Sequence, residues 1–155
     1  MEDAIPMFTD EFYYDPEGYI RYINSGEIAG SKADGYKTVY YKTVAYRLHK
    51  VIFAMHHGYI PEVIDHKDQD KNNNKIENLR AANKSLNEAN TGLRRNNSSG
   101  YKGVSFYNRI KRYRAYLQCK HIGLFDTAEE AARAYNAAAL KAYGEFAYLN
   151  DIKGE

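Results

Sequence analysis

At 155 residues the chain has room for one compact domain or two small ones, and sixteen tyrosines without a tryptophan suit thin cores packed by rings that keep a hydroxyl in water. The lone Cys119 excludes an intramolecular disulfide and a cysteine-rich zinc site. No apolar run approaches the ~20 residues that span a bilayer, and no basic-then-apolar leader opens the chain, so a cytoplasmic protein with no membrane partner is expected.

The formal net charge of +2 conceals a segregation. Residues 1–48 carry eight acids against five bases, a net of −3, whereas residues 94–122 hold eight bases (Arg94, Arg95, Lys102, Arg109, Lys111, Arg112, Arg114, Lys120) and no acid. A basic stretch of that density is the footprint of a phosphate-binding surface rather than a diffuse bias. The competing reading is a solvated basic face.

In residues 13–46, aromatic and β-branched residues alternate between glycines, predicting a small antiparallel sheet that buttresses the elements after it. The period then changes: Leu48, Val51, Ile52 and Met55 predict a helix from Arg47 to His57, with Gly58 placed to stop it. Val63 and Ile64 predict a strand running into Asp65 and His66, followed by a polar loop over residues 67–75 and a return to the core at Ile76 and Leu79. Ser85 with Glu88 predicts a capping box on a short helix reaching about Thr91. Residues 91–100 are polar and basic and read as a linker able to lie along DNA. Beyond it come three predicted strands, over residues 101–107, 113–119 and 121–125. An alanine-rich helix over 128–143 comes next, with a Thr127–Glu130 capping box, Gly144 at its end and an expected core stripe of Ala131, Ala134, Tyr135, Ala138 and Ala142.

Asp65, His66, Asn78 and Asn87 are the residues able to do chemistry together. Phosphodiester cleavage requires a positioned water, a base to take its proton, and charge neutralisation at the phosphate and leaving oxygen. His66 is the candidate base, since an imidazole with an ordinary pKa of about 6.5 accepts protons near neutral pH. Asp65, its neighbour at a strand end, points the opposite way and can ligate a metal, and Asn87 on the next helix can add a second oxygen. Such hard donors suit one Mg²⁺ or Mn²⁺ ion completed by water and phosphate. Asn90, three residues on along the same helix, is the rival to Asn87. Local cap and turn bonds are the competing account of all four residues. His49, His56 and His57 read as helix packing or solvent residues.

The run Leu48-His49-Lys50, His57-Gly58, Ile64-Asp65-His66, Asn78-Leu79-Arg80, Asn87 and Asn90 resembles the HNH (ββα-metal) endonucleases, specifically the phage and intron-encoded homing enzymes. The resemblance implies that Asp65 and Asn87 bind one divalent ion, that His66 activates water, and that Asn78 fixes the loop geometry. Downstream, Tyr101-Lys-Gly-Val, Tyr113-Arg-Ala-Tyr-Leu-Gln and the run from Ile122 through the alanine-rich helix to Leu149-Asn150 resemble the Apetala-two type domain of plant ethylene-response factors. That likeness implies a three-stranded sheet laid in the major groove of double-stranded DNA, with Lys102, Ser105, Tyr107, Arg112, Tyr116, Gln118 and His121 facing it. Strand alternation independently turns Arg114, Tyr116 and Gln118 outward and Ala115 and Leu117 inward. The plant domains place other residues at Ser105, Tyr107, Tyr116 and Gln118, so their target sequence does not transfer.

The expected fold class is α+β. A small N-terminal antiparallel sheet and a ββα-metal core occupy 1–92, a basic linker 93–100, and a three-stranded sheet packed on one helix 101–150. The expected function is site-specific, metal-dependent DNA endonuclease, by nicking or double-strand cutting, with a monomer slightly favoured. The alternative is a non-catalytic sequence-specific DNA-binding regulator.

Overall fold

The computed structural model describes residues 8–33 and 35–152. Glu2, Asp3 and Asp34 of the acidic N-terminal count lie outside them. Contacts divide the chain into two compact units, Met1–Lys84 and Ser85–Glu155.

The first unit opens with an antiparallel hairpin, β1 (Phe12–Asp15) and β2 (Tyr19–Tyr22), and continues into a three-stranded antiparallel sheet, β3 (Ser31–Ala33), β4 (Tyr36–Tyr41) and β5 (Val44–Arg47). The one sheet expected from the alternation is therefore two. Among the described residues the glycine-bearing segment after β2 makes a single isolated β-bridge to the hairpin, between Arg21 and Ile28, and the alternation then restarts.

Helix α1 (Leu48–His57) runs straight on from β5 and buries Leu48, Val51 and Ile52 completely, each contributing about 2 kcal/mol by transfer from water. It stops at Gly58, whose left-handed backbone (φ 72°) lets its N–H reach the carbonyl of Ala54. The core around it is aromatic: Phe8 meets Tyr41 and Tyr46 edge-on, both at 5.1 Å, and Phe12 and Ile20 close the side facing the hairpin. Against this core lie β6 (Val63–His66) and β7 (Leu79–Ala82), paired antiparallel with Asp65 opposite Arg80 and His66 opposite Leu79. Residues 67–75 form the polar loop between them, ending in a 3-10 turn, Ile76–Asn78.

The second unit holds nearly all of α2 (Lys84–Ala89), which begins one residue before its expected cap, so Ser85 sits in the first turn instead of capping it. Irregular chain then leads to β8 (Val104–Tyr107), β9 (Arg112–Leu117) and β10 (Lys120–Phe125), an antiparallel sheet in the order β10-β9-β8. Helix α3 (Ala128–Tyr143) packs on it, and both bonds of the Thr127–Glu130 capping box form. The first strand starts three residues later than expected, because residues 101–103 turn and Gly103 adopts φ 75°. A Cβ at Gly103 would lie 2.1 Å from the Tyr135 ring, so glycine there is what lets α3 settle on the sheet. The buried stripe of α3 runs through Ala131, Ala132, Tyr135 and Ala139, and Ala142 is exposed. In an alanine-rich helix the apolar contrast around the axis is weak, and the sequence left the phase undetermined by one position.

Candidate functional site

The β6–β7 pair carries the expected base and its neighbouring carboxylate. Asp65 and His66 are adjacent on β6 and both buried, at 4% and 7% exposure. Asp65 Oδ2 takes two charge-assisted bonds from Arg80 across the ladder, at 2.7 Å from Nη2 and 2.8 Å from Nε. The carboxylate is thereby fixed in orientation and its burial offset by a partner that is itself largely shielded from solvent.

His66 is oriented by a residue that sequence reasoning does not single out. Asn74, almost fully buried, lies 3.0 Å from His66 Nε2 through its Oδ1. The Asn74 Nδ2 donates to the Asn72 carbonyl at 3.3 Å, which places Oδ1 toward the imidazole. Nε2 therefore carries the ring proton, and the basic lone pair is on Nδ1. Asn74 is held from behind by the β1–β2 hairpin: a Cβ at Gly18, where φ is 82°, would come within 2.9 Å of its backbone. The Tyr14 hydroxyl accepts the Ile76 N–H at 3.1 Å, and Glu17 pairs with Lys75 at 3.2 Å. The N-terminal hairpin thus buttresses the 67–75 loop.

Asn78 is spent on that loop. Its Nδ2 donates to Asp68 Oδ1 at 2.9 Å and to the Asn73 carbonyl at 2.8 Å, and its Oδ1 accepts the Asp68 N–H at 3.1 Å. Asp68 also accepts from Asn73 Nδ2 and the Asp70 N–H. Burial works to raise the Asp68 carboxyl, yet the bonds from Asn73, Asp70 and Asn78, with His66 adding a smaller attraction, bring it below the usual aspartate value.

A second histidine stands behind the first. His49, in the first turn of α1, is 8% exposed, with its ring 5.3 Å from that of His66 and 5.5 Å from that of Tyr36. Burial, then the proximity of His66, Lys50 and Arg47, pushes its pKa down to about 4, so it is neutral at neutral pH. A packing role for His49 is the one expected from sequence. The partner it packs on, being set by how α1 meets β6, had no sequence signal.

Asn87 lies on α2 in the second unit and is exposed, and Asn90 follows the helix and is buried. Among the described residues no group of three His, Cys, Asp or Glu side chains is placed to cage a metal. What the chain offers a cation is hard oxygen: a buried, arginine-fixed carboxylate and side-chain amides. That chemistry fits a hard divalent ion completed by water and phosphate, and not a thiophilic one.

The sheet of the second unit gathers six of the expected DNA-facing residues on one side. Registers Ser105–Arg114, Tyr107–Arg112 and Tyr116–His121 place Ser105, Tyr107, Arg112, Arg114, Tyr116 and His121 opposite the face where Val104 and Ala115 meet α3. The Arg114 guanidinium lies between two rings, 4.3 Å from Tyr107 and 5.6 Å from Tyr116, and Tyr116 meets His121 edge-on at 5.1 Å. Arg112 sits 2.8 Å from Asp126 in an exposed ion pair. The other two, Lys102 and Gln118, turn toward α2. The Lys102 ammonium donates to backbone carbonyls of Glu88, Ala89 and Thr91, and Gln118, at the β9–β10 turn with φ 47°, donates to Ser85 Oγ at 3.3 Å. Burial, and then the like charge of Arg94, bring the Lys102 amine down to about 8.

Comparison with known proteins agrees with both halves. Residues 46–89 match the family model described as HNH endonuclease. An uncharacterized HNH endonuclease of Acanthamoeba polyphaga mimivirus is 34% identical over 116 residues, covering 68% of this chain and 58% of that protein. An AP2-like ethylene-responsive transcription factor of Arabidopsis thaliana is 43% identical over 65 residues, 39% of this chain and 13% of that protein. APETALA2-like protein 2 of Oryza sativa subsp. indica is 45% identical over 60 residues, 36% of this chain and 14% of that protein. The chain thus spans about one-seventh of the plant relatives and under two thirds of the viral one. No solved structure matches it. Among the described residues no helix is long and apolar enough to cross a membrane.

Proposed function

We propose that this chain, which joins an HNH endonuclease segment to an Apetala-two type DNA-binding domain, is a site-specific, metal-dependent endonuclease acting on double-stranded DNA. The observation that carries the reading is the pairing on one strand end of a base and an oriented carboxylate. His66 is fixed in its Nε2–H form by Asn74, and Asp65 is fixed by Arg80, all within the residues that match the HNH family.

In this reading His66 Nδ1 takes a proton from the attacking water, while Nε2–H stays bonded to Asn74 and keeps the ring in line. Asp65 and Asn87 would hold one Mg²⁺ or Mn²⁺ ion, which when bound supplies neutralisation of the phosphate and of the 3′ leaving oxygen. Asn78 touches none of the reacting atoms; it holds the 67–75 loop, and through it Asn74, in place. The open face around Arg114 selects the DNA, in the manner of a β-sheet reader in the major groove. A monomer with one such centre cuts one strand per visit, the behaviour of a homing-type nickase.

Supercoiled plasmid incubated with purified protein and Mg²⁺ or Mn²⁺, beside an EDTA control and His66→Ala, tests the proposal. Metal-dependent nicked or linear DNA, lost in His66→Ala with DNA affinity kept, is the expected result. Binding without cleavage under every metal tried would make the chain a DNA-binding regulator instead.

A further inference from the structure

Helix α2 has six residues, too few to be stable alone; at its C-terminal end the Leu86 and Glu88 carbonyls accept the N–H groups of Asn90 and Thr91, and the Ala89 carbonyl looks to donors farther along the chain. The bonds that hold its two ends come from the sheet-bearing unit. The Lys102 Nζ donates to the carbonyls of Ala89 and Thr91 at 2.6 Å each and of Glu88 at 3.4 Å, using all three ammonium protons. The Ala89 carbonyl also accepts the Tyr148 N–H at 3.1 Å. At the other end Gln118 holds Ser85. Lys102 is itself anchored: its N–H donates to Asn150 Oδ1 at 2.6 Å and its carbonyl accepts from Asn150 Nδ2 at 3.0 Å. Buried Asn150 exchanges two further bonds with Asn136 on α3, at 2.8 and 2.9 Å. An unbroken relay therefore runs from α3 through Asn136, Asn150 and Lys102 to the end of the helix that bears Asn87.

We infer that Lys102 is a positioning residue of the nuclease centre, a fastener by which the DNA-reading unit holds the metal-binding helix α2 in place. The inference rests on the reading of Asn87 as a metal ligand. It gives the C-terminal unit a second role. Besides choosing the DNA, that unit completes the nuclease segment, whose family match ends at residue 89 inside it. A cation at a helix C-terminus is favourable in itself, and the half-buried lysine holds its bond to the Ala89 carbonyl partly away from water. A lysine held this way has no proton left for a phosphate, so it differs in kind from Arg114 on the open face.

The test uses the full chain with Lys102→Met, which keeps the stem and removes the charge, and Lys102→Arg, which restores a cation. Hydrogen exchange without metal or DNA should speed up at least tenfold for amides 86–91 in Lys102→Met, while β8–β10 stay protected and Lys102→Arg returns most of the protection. Affinity for DNA in EDTA and its salt slope should stay within about twofold, while single-turnover cleavage of bound DNA falls at least tenfold and half-saturation shifts to higher Mn²⁺. Unchanged exchange in α2, with weaker binding and a salt slope shallower by about one, would overturn the inference and make Lys102 a phosphate contact. If Lys102→Met loses sheet protection as well, Gln118→Ala gives the same exchange test at the opposite end of α2, where unchanged amides would be equally fatal. Wild-type protein that never cuts would fail the nuclease reading, and the exchange result would still decide the fastening.

Discussion

The loop below His66 and the open face around Arg114 are both polar, and they use polarity in opposite ways. Around His66 the amides of Asn74 and Asn78 and the carboxylates of Asp65 and Asp68 are bonded to other protein groups. On the sheet, Arg114 lies between Tyr107 and Tyr116, and its Nε is buried between them without a hydrogen-bond partner among the described residues. Under the proposed function, a base acting on a phosphate needs fixed geometry, and these bonds around His66 supply it. If this face reads DNA as proposed, it needs side chains held in direction, and stacking on rings supplies that for Arg114.

The sharpest way to break this contrast is Asn74→Ala. Removing the acceptor of His66 Nε2–H should lower single-turnover cleavage about 100-fold, because a reacting group left to rotate loses alignment. DNA affinity should hold, and the ¹⁵N shifts of the His66 ring should change from the Nε2–H tautomer to a mixture. Equal rates would mean that the ring is oriented by something else.

Acid probes the same region from behind. His49 has a folded pKa of about 4 against an ordinary 6.5, so between these values the unfolded chain binds more protons. Stability is then fully present above about pH 6.5 and is lost as pH falls toward 4, with a drop of about 2 kcal/mol between pH 7 and pH 5 from this one group. Urea titrations in EDTA should show that drop reduced in His49→Phe relative to wild type; identical pH slopes would remove His49 as its source.

The smallest effect is expected on the open face. Arg114→Ala should weaken DNA binding about tenfold, or about 1.4 kcal/mol, and leave cleavage of saturated complexes unchanged. The size of the salt-slope change tells whether Arg114 meets a phosphate or a base edge, and an unchanged affinity would remove this face from DNA reading.

Elements with a local signal are legible along the chain. Period-two alternation put Arg114 and Tyr116 outside and Ala115 inside, the period of Leu48, Val51 and Ile52 gave α1, and Thr127 with Glu130 marked the start of α3. The sequence placed Asp65 and His66 together at a strand end for the same reason. Tertiary structure alone decided which polar group meets which. Nothing in the asparagine-rich run 72–74 distinguishes the residue that faces His66, because that depends on how the loop folds back over Gly18. Nor does sequence separate Lys102, bound to the carbonyls of α2, from Arg114, left open on the sheet, since both are basic residues in one basic stretch. Hydrophobic periodicity is written along the chain, whereas a hydrogen bond between distant residues is specified only once the backbone has closed around it.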